Sequence, residues 1–356
     1  MTTGSMDSDD ADETGLATAR MGRRGAPLTL IAALTLLLAA MMIGAMQLGR
    51  YPIALADIGG AMLRLFTGGA AAGQIDTVLW QIRLPRILAA VLVGAALSAA
   101  GAAYQGLFRN PLVSPDILGV STGAGLGAVI GIFLSLPVLG IQLFAFLAGL
   151  ATVALVSAIG LLVRDREPIL VLVLAGVVVG SLAGAAISLL KILADPYEQL
   201  PAITFWLLGS LSSIRNGDVL SALPMILLGL VPMILLRWRI NLLSLGDEEA
   251  SALGLETHRL RYLIIAAATL MTASAVAIAG VVGWVGLILP HLARMLVGPN
   301  FERLLPTAML MGACYLLLVD TLARTMASIE IPLGILTALV GAPFFLWLLV
   351  ARRDGW

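Results

Sequence analysis

RLPRILAAVLVGAALSAAGAAYQGLFRNPLVSPDILGVSTGAGLG, residues 83–127, decides how the rest of the chain is read. Two arginines flank a proline at Arg83-Leu84-Pro85-Arg86, and no charge follows from Ile87 to Phe108. At 1.5 Å per residue that run is about 33 Å long, enough to cross a bilayer as a helix. Arg109-Asn110-Pro111 stops it, and a second apolar helix follows, opening on small residues between Gly119 and Gly127. Gly94, Ala95, Ala99, Gly101 and Gly106 carry little side-chain bulk, so neighbouring helices can approach closely. These features predict a packed helical core in a membrane, with a short polar turn at one face.

Composition agrees. Hydrophobic residues make up 60% of the 356, charged residues 12%, and mean hydropathy is +1.02. A water-soluble domain carries roughly a quarter charged residues. The expected fold class is therefore an all-α polytopic membrane protein, one helical bundle over residues 26–356. Ahead of it, residues 1–25 form a Ser/Thr/Asp-rich and then Arg-rich tail expected to be disordered. A single cysteine, Cys314, lies in an apolar run and excludes an intrachain disulfide. The only lysine, Lys191, sits in SLLKIL, and no Gly-x-x-x-x-Gly-Lys-Ser/Thr loop is present to cradle phosphates. No ATP hydrolysis by that route, no bound cofactor and no nucleic-acid partner are expected of this chain. His258 and His291 have no Cys or Asp set at ligand spacing, so no metal site is expected either.

The apolar runs predict ten spans: 28–48, 87–108, 117–136, 138–163, 169–193, 219–236, 262–282, 283–297, 304–323 and 331–350. The eighth is the length of a half-span. Residues 51–82 read as an external connector with short surface helices, and the segment carrying Trp206 and Gly209 as external. Ten spans put both termini on one side. With that side cytoplasmic, 14 of the 21 Lys and Arg residues fall inside, as the positive-inside rule requires. Ala100-Gly101 with a following Pro111, and Ala279-Gly280 with a following Pro290, suggest two halves in inverted repeat.

Few polar groups interrupt this pattern. Arg83, Arg86 and Arg324 fall at external span ends, where arginines can snorkel to the interface. Asp320 precedes Arg324 by four residues, the favourable helical order for a structural ion pair. In the turn after the second span, Pro111 enforces a stop and Asn110 offers a side-chain bond to the backbone. Between 240 and 261 the chain is too polar to cross lipid. Gly246-Asp247-Glu248-Glu249-Ala250 opens a short helix with Asp247 as N-cap candidate, and Leu253-Gly254-Leu255 ends it at the glycine. A secondary transporter coupled to an ion gradient is a competing reading, but only Asp320 is available as an intramembrane carboxylate. An intramembrane enzyme lacks its nucleophile–base pair.

RLPR, the Gly/Ala-rich span and RNPL-x-x-P-D-I-L-G-V-S-x-G-A-G resemble the membrane permease subunits of ATP-binding-cassette importers for iron-siderophores, haem and cobalamin, the FecCD family of type II importers. The likeness resumes near Gly246–Arg261 and runs through AIAGVVGWVGLILPHLAR and EIPLGILTALVGAPFFLWLL. It implies a homodimer in the cytoplasmic (inner) membrane, two ATPase subunits that use ATP and Mg, and an external substrate-binding protein. In that family, arginines placed as Arg83, Arg86 and Arg324 face acidic residues of the binding protein, to which guanidinium is well suited. The resemblance also implies a cytoplasmic gate at Asn110 and Leu112. It makes Gly246, Asp247, Glu248, Glu249, Ala250, Leu253, Gly254 and Leu255 a coupling helix seated in a cleft of the ATPase.

Overall fold

The computed structural model describes residues 9–49, 51–67, 73–163 and 168–351. In chain order the helices are α1 (Asp9–Gln47), α2 (Leu55–Thr67), α3 (Gln74–Thr77), α4 (Leu84–Leu107), α5 (Val120–Phe133), α6 (Val138–Leu162), α7 (Pro168–Leu193) and α8 (Gln199–Leu208). They continue as α9 (Asn216–Leu235), α10 (Arg237–Leu243), α11 (Asp247–Ala252), α12 (Thr257–Ala279), α13 (Val285–Val297), α14 (Phe301–Thr325) and α15 (Leu333–Ala351). Seven helical stretches among the described residues are long and apolar enough to cross a membrane, and α5, α8, α13 and α15 are shorter apolar helices. The all-α expectation therefore holds, with α5, α13 and α15 supplying the rest of the ten segments read from sequence. Residues 1–8 of the expected tail lie outside the described residues; helix α1 starts at Asp9, within that tail.

Helix α4 is the hub, buried along most of its length. Two glycine pairs make its packing possible. A Cβ on Gly94 would stand 2.2 Å from the Gly312 carbonyl of α14, and one on Gly101 would stand 1.8 Å from the Gly286 carbonyl of α13. Backbone therefore packs on backbone at both crossings, as small-residue membrane interfaces allow. Gly106, the third glycine of the stretch, has only an Ile240 methyl at 3.9 Å and is not a crossing point.

Three segments depart from the sequence expectation. The third span, expected over 117–136, is a 3-10 turn at Pro115–Leu118 followed by the 14-residue α5, about 21 Å long. Pro115 opens the turn, and the left-handed Gly119 (φ 76°) separates it from α5. The segment with Trp206, expected only to be external, carries a helix packed on the bundle, with Ile203 of α8 fully buried against Val129 and Ile132 of α5. The two Ala-Gly sites also differ in local structure. Gly101 sits in mid-helix, whereas Gly280, with φ 69°, terminates α12.

Candidate functional site

Two of the polar clusters among the described residues lie at the two ends of α14. At one end, the sequence Trp80-Gln81-Ile82-Arg83-Leu84-Pro85-Arg86 forms a π-helical turn, Val78–Arg83, leading straight into α4. Pro85 has no N–H for the carbonyl of Gln81, and a local widening of the helix accommodates that loss. The widened turn directs Arg83 and Arg86 to different neighbours.

Arg83 is 4% exposed and folds back on the end of α1, donating to the carbonyls of Met46, Gln47 (3.2 Å) and Tyr51. Arg324 donates to the Ala45 carbonyl at 2.6 Å. Both guanidiniums thus satisfy carbonyls left free at the C-terminus of α1, where positive charge is also favoured by the helix dipole. Arg86 holds two carboxylates at once. Its Nε lies 2.9 and 3.0 Å from the oxygens of Asp320, and its Nη2 is 2.7 Å from Asp320 and 2.6 Å from Glu330. A second bond runs from Nη1 to Glu330 at 3.1 Å. This planar fork is the geometry in which arginine pairs most strongly.

The expected Asp320–Arg324 ion pair is present at the long end of its range, and Asp320 has a second, closer partner. Arg324 Nε stands 4.0 Å from Asp320, whose close partner is Arg86 on α4, 234 residues away in sequence. Helical spacing favoured the nearer arginine, but Arg324 is drawn off by the Ala45 carbonyl. Arg83 and Arg86 are also not simple snorkelling anchors, because both are buried. They line a cavity of about 640 Å³ together with Arg324, Tyr51, Phe205 and Glu330. Glu330 is the member that sequence reading missed. Its signal was the acid opening EIPLG, a charge left unassigned just ahead of an apolar helix. Nearby but separate, Arg64 of α2 pairs with Asp76 at 2.9 Å, and that bond pushes the Arg64 pKa up.

At the other end of α14, Asn300 caps the helix by accepting from the Glu302 N–H at 2.9 Å. Asn241 of α10 accepts from the Phe301 N–H at 2.7 Å and donates to Asn300 at 3.1 Å. Helix α10 is thereby fastened to the start of α14. Beyond it, α11 begins at Asp247 with Gly246 (φ 131°) in the N-cap position, one residue earlier than Asp247, the N-cap candidate. The helix stops as expected. Gly254 (φ 82°) donates to Ser251 at 2.9 Å and Leu255 donates to Ala250 at 3.0 Å, the paired bonds of a Schellman motif. Ala250 is buried, while Glu248, Glu249 and Leu253 are exposed. In the turn after α4, Asn110 Oδ1 accepts from the Leu112 N–H at 2.9 Å, the side-chain bond expected there. Residues 166 and 167 of the turn between α6 and α7 lie outside the described residues.

A long-helix bundle knotted through glycine crossings, with arginines at one end and a capped polar hairpin at the other, defines an integral membrane protein of the transporter permease class. The chain belongs to the FecCD transport family, which matches residues 27–351. It is 43% identical over 326 residues to the molybdate import system permease protein MolB of Haemophilus influenzae, covering 90% of this chain and 95% of that one. It is 42% identical to the hemin transport system permease protein HmuU of Yersinia pestis, over 78% of this chain and 84% of that one. A solved chain described as an inward-facing conformation of a proposed metal-chelate type ABC transporter superposes with a TM-score of 0.82 at 40% identity, covering 91% of this chain and 99% of that one.

Proposed function

We propose that this chain is the permease half of an ATP-driven, binding-protein-dependent importer that moves a metal chelate into the cytoplasm, an iron-siderophore first, with haem or cobalamin next. The working unit is a homodimer with two ATPase subunits inside and a substrate-binding protein outside, both termini of the chain being cytoplasmic. ATP and Mg act in the ATPase subunits. The observation that carries this reading is the family match across nearly the whole chain. Relatives named for hemin and for molybdate stand at nearly equal identity, so the cargo is assigned by the binding protein rather than by this chain.

Mechanism follows from the two ends of α14. ATP-driven closure of the ATPases moves α11 and α10. Through the Asn241 bonds to Phe301 and Asn300, that movement reaches α14, a 25-residue helix spanning about 38 Å. Asn110 and Leu112, in the turn after α4, form the inner gate, and Arg83, Arg86 and Arg324 receive acidic side chains of the binding protein. The competing ion-coupled reading relied on Asp320, which is fully buried and held by Arg86.

Uptake into vesicles holding the permease, its ATPase and its binding protein tests the proposal. Orthovanadate should abolish uptake, and collapsing the proton gradient should leave it intact. The opposite pattern would establish a secondary transporter. The ligand that co-purifies with the binding protein identifies the cargo.

A further inference from the structure

Three guanidiniums, those of Arg83, Arg86 and Arg324, line one cavity, and two carboxylates, Asp320 and Glu330, pair with Arg86, Asp320 also with Arg324. The cavity therefore keeps an excess positive charge. The two acids are not equivalent. Asp320 has no exposure and belongs to α14, in the bundle wall. Glu330 has a side chain 27% exposed and belongs to the short link between α14 and α15. That link is exposed from Met326 to Ile329. Glu330 reaches from it to both terminal nitrogens of Arg86, while Asp320 takes Nε and shares Nη2.

We propose that Glu330 is an exchangeable internal ligand. In the undocked permease it occupies the place on Arg86 that an acidic side chain of the binding protein takes on docking. This rests on the docking reading above and adds to it a competitor and a consequence. The consequence lies in what else Glu330 touches. Its Oε1 is 3.4 Å from the hydroxyl of Ser210, at the corner after α8. One residue earlier, the Gly209 carbonyl accepts from the Leu333 N–H at the start of α15 at 2.9 Å, and the Ser210 N–H donates to Ala279 at the end of α12 at 2.9 Å. Glu330 thus joins the first turn of α4 to the corner where α8, α12 and α15 meet. Transfer of Arg86 to a foreign carboxylate releases that corner. Docking and loosening of α8 and α15 become one event, driven by a swap of like bonds. A swap costs less than forming a bond from two solvated ions, because Arg86 is never left unpaired in its buried setting.

The test is docking of the cognate binding protein to the reconstituted permease–ATPase complex, followed by surface plasmon resonance at low and high salt. Glu330→Gln removes the competitor, so the association rate should rise and affinity should tighten about fivefold, the worth of one rim ion pair. Ser210→Ala, which removes only the second contact of Glu330, should give a smaller gain in the same direction; it serves as the readout if Glu330→Gln fails to assemble. Arg324→Gln is the control for docking itself. If Arg324→Gln weakens docking while both Glu330→Gln and Ser210→Ala leave it unchanged or weaker, the exchange is overturned and the docking surface stands. If Arg324→Gln also has no effect, the docking surface falls and the exchange falls with it.

Discussion

Arg86 of α4 and Asp320 of α14 meet at 2.7 Å with the carboxylate fully buried, and the same two helices cross at Gly94 and Gly312. One pair of helices is therefore locked twice, by charge at the end and by backbone contact nearer the middle. Breaking a buried pair costs roughly 3–5 kcal/mol where the remaining charge is left uncompensated, and less here because Glu330 stays on Arg86. Asp320→Asn should accordingly lower the thermal stability of the purified protein far more than Glu302→Gln, whose partner Arg237 lies 3.5 Å away at an exposed site. Equal melting temperatures for the two variants would refute the structural role of Asp320.

The glycine crossings make a sharper comparison. Gly101→Val places a branched side chain where the Gly286 carbonyl already stands 1.8 Å from the Cβ position, backbone that cannot swing aside. Overpacking of a tight core costs typically 1–3 kcal/mol and more where nothing can relax. Gly184→Ala meets nothing within 4 Å and should be silent. Monodisperse yield after solubilisation, measured for both, checks the pair: Gly101→Val should be lost to aggregation and Gly184→Ala recovered at the level of the parent chain.

Much of this was readable from residue order. Gly94 and Gly101 stand seven residues apart in an uncharged run, so they fall on nearly one helix face, and small-residue faces in apolar helices mark close packing. Gly254 could be read as a helix stop because glycine accepts the positive φ that a Schellman turn needs. What sequence could not supply was choice among partners distant along the chain. Asp320 has Arg324 four residues away and Arg86 at a distance of 234, and local spacing favours the former. Only the fold brings α4 against α14. The shortening of α5 was signalled by Pro115 and Gly119, but an unbroken apolar run masked it.

Helix α11 carries the prediction for coupling. Gly254→Pro deletes the N–H that donates to Ser251 and fixes φ near −65° where the chain needs 82°. The turn after α11 must then rearrange, while the spans on either side keep their packing. Insertion should be normal, and uptake should be lost although the ATPase subunits still hydrolyse ATP. Replacing Glu248, Glu249 and Glu256 together with lysine should uncouple in the same way. Parental uptake in both variants would remove α11 from the coupling path.

Arg83 and Arg324 separate structural anchoring from docking. Reading them as helix-end anchors with free access to water implies that either can be replaced without harm to folding. The geometry says otherwise for Arg83, which is buried and satisfies carbonyls of Met46, Gln47 and Tyr51. Arg83→Gln strands some of those acceptors, at a cost of about 1–3 kcal/mol for each buried group left unsatisfied. Arg324 makes a single hydrogen bond to Ala45, and its Nε has no hydrogen-bond partner among the described residues. Glutamine can keep one donor near Ala45 while removing the charge, so Arg324→Gln should change the melting temperature little. Its effect should fall instead on the binding protein's association rate, which should drop at low salt and lose part of its salt dependence. Measuring melting temperature and association rate on both variants gives a two-by-two result. Loss of stability confined to Arg83→Gln, with slowed association in Arg324→Gln, assigns anchoring to the first and docking to the second. An association rate unchanged at low salt in a stable Arg324→Gln complex would make Arg324 a clasp for α1 alone.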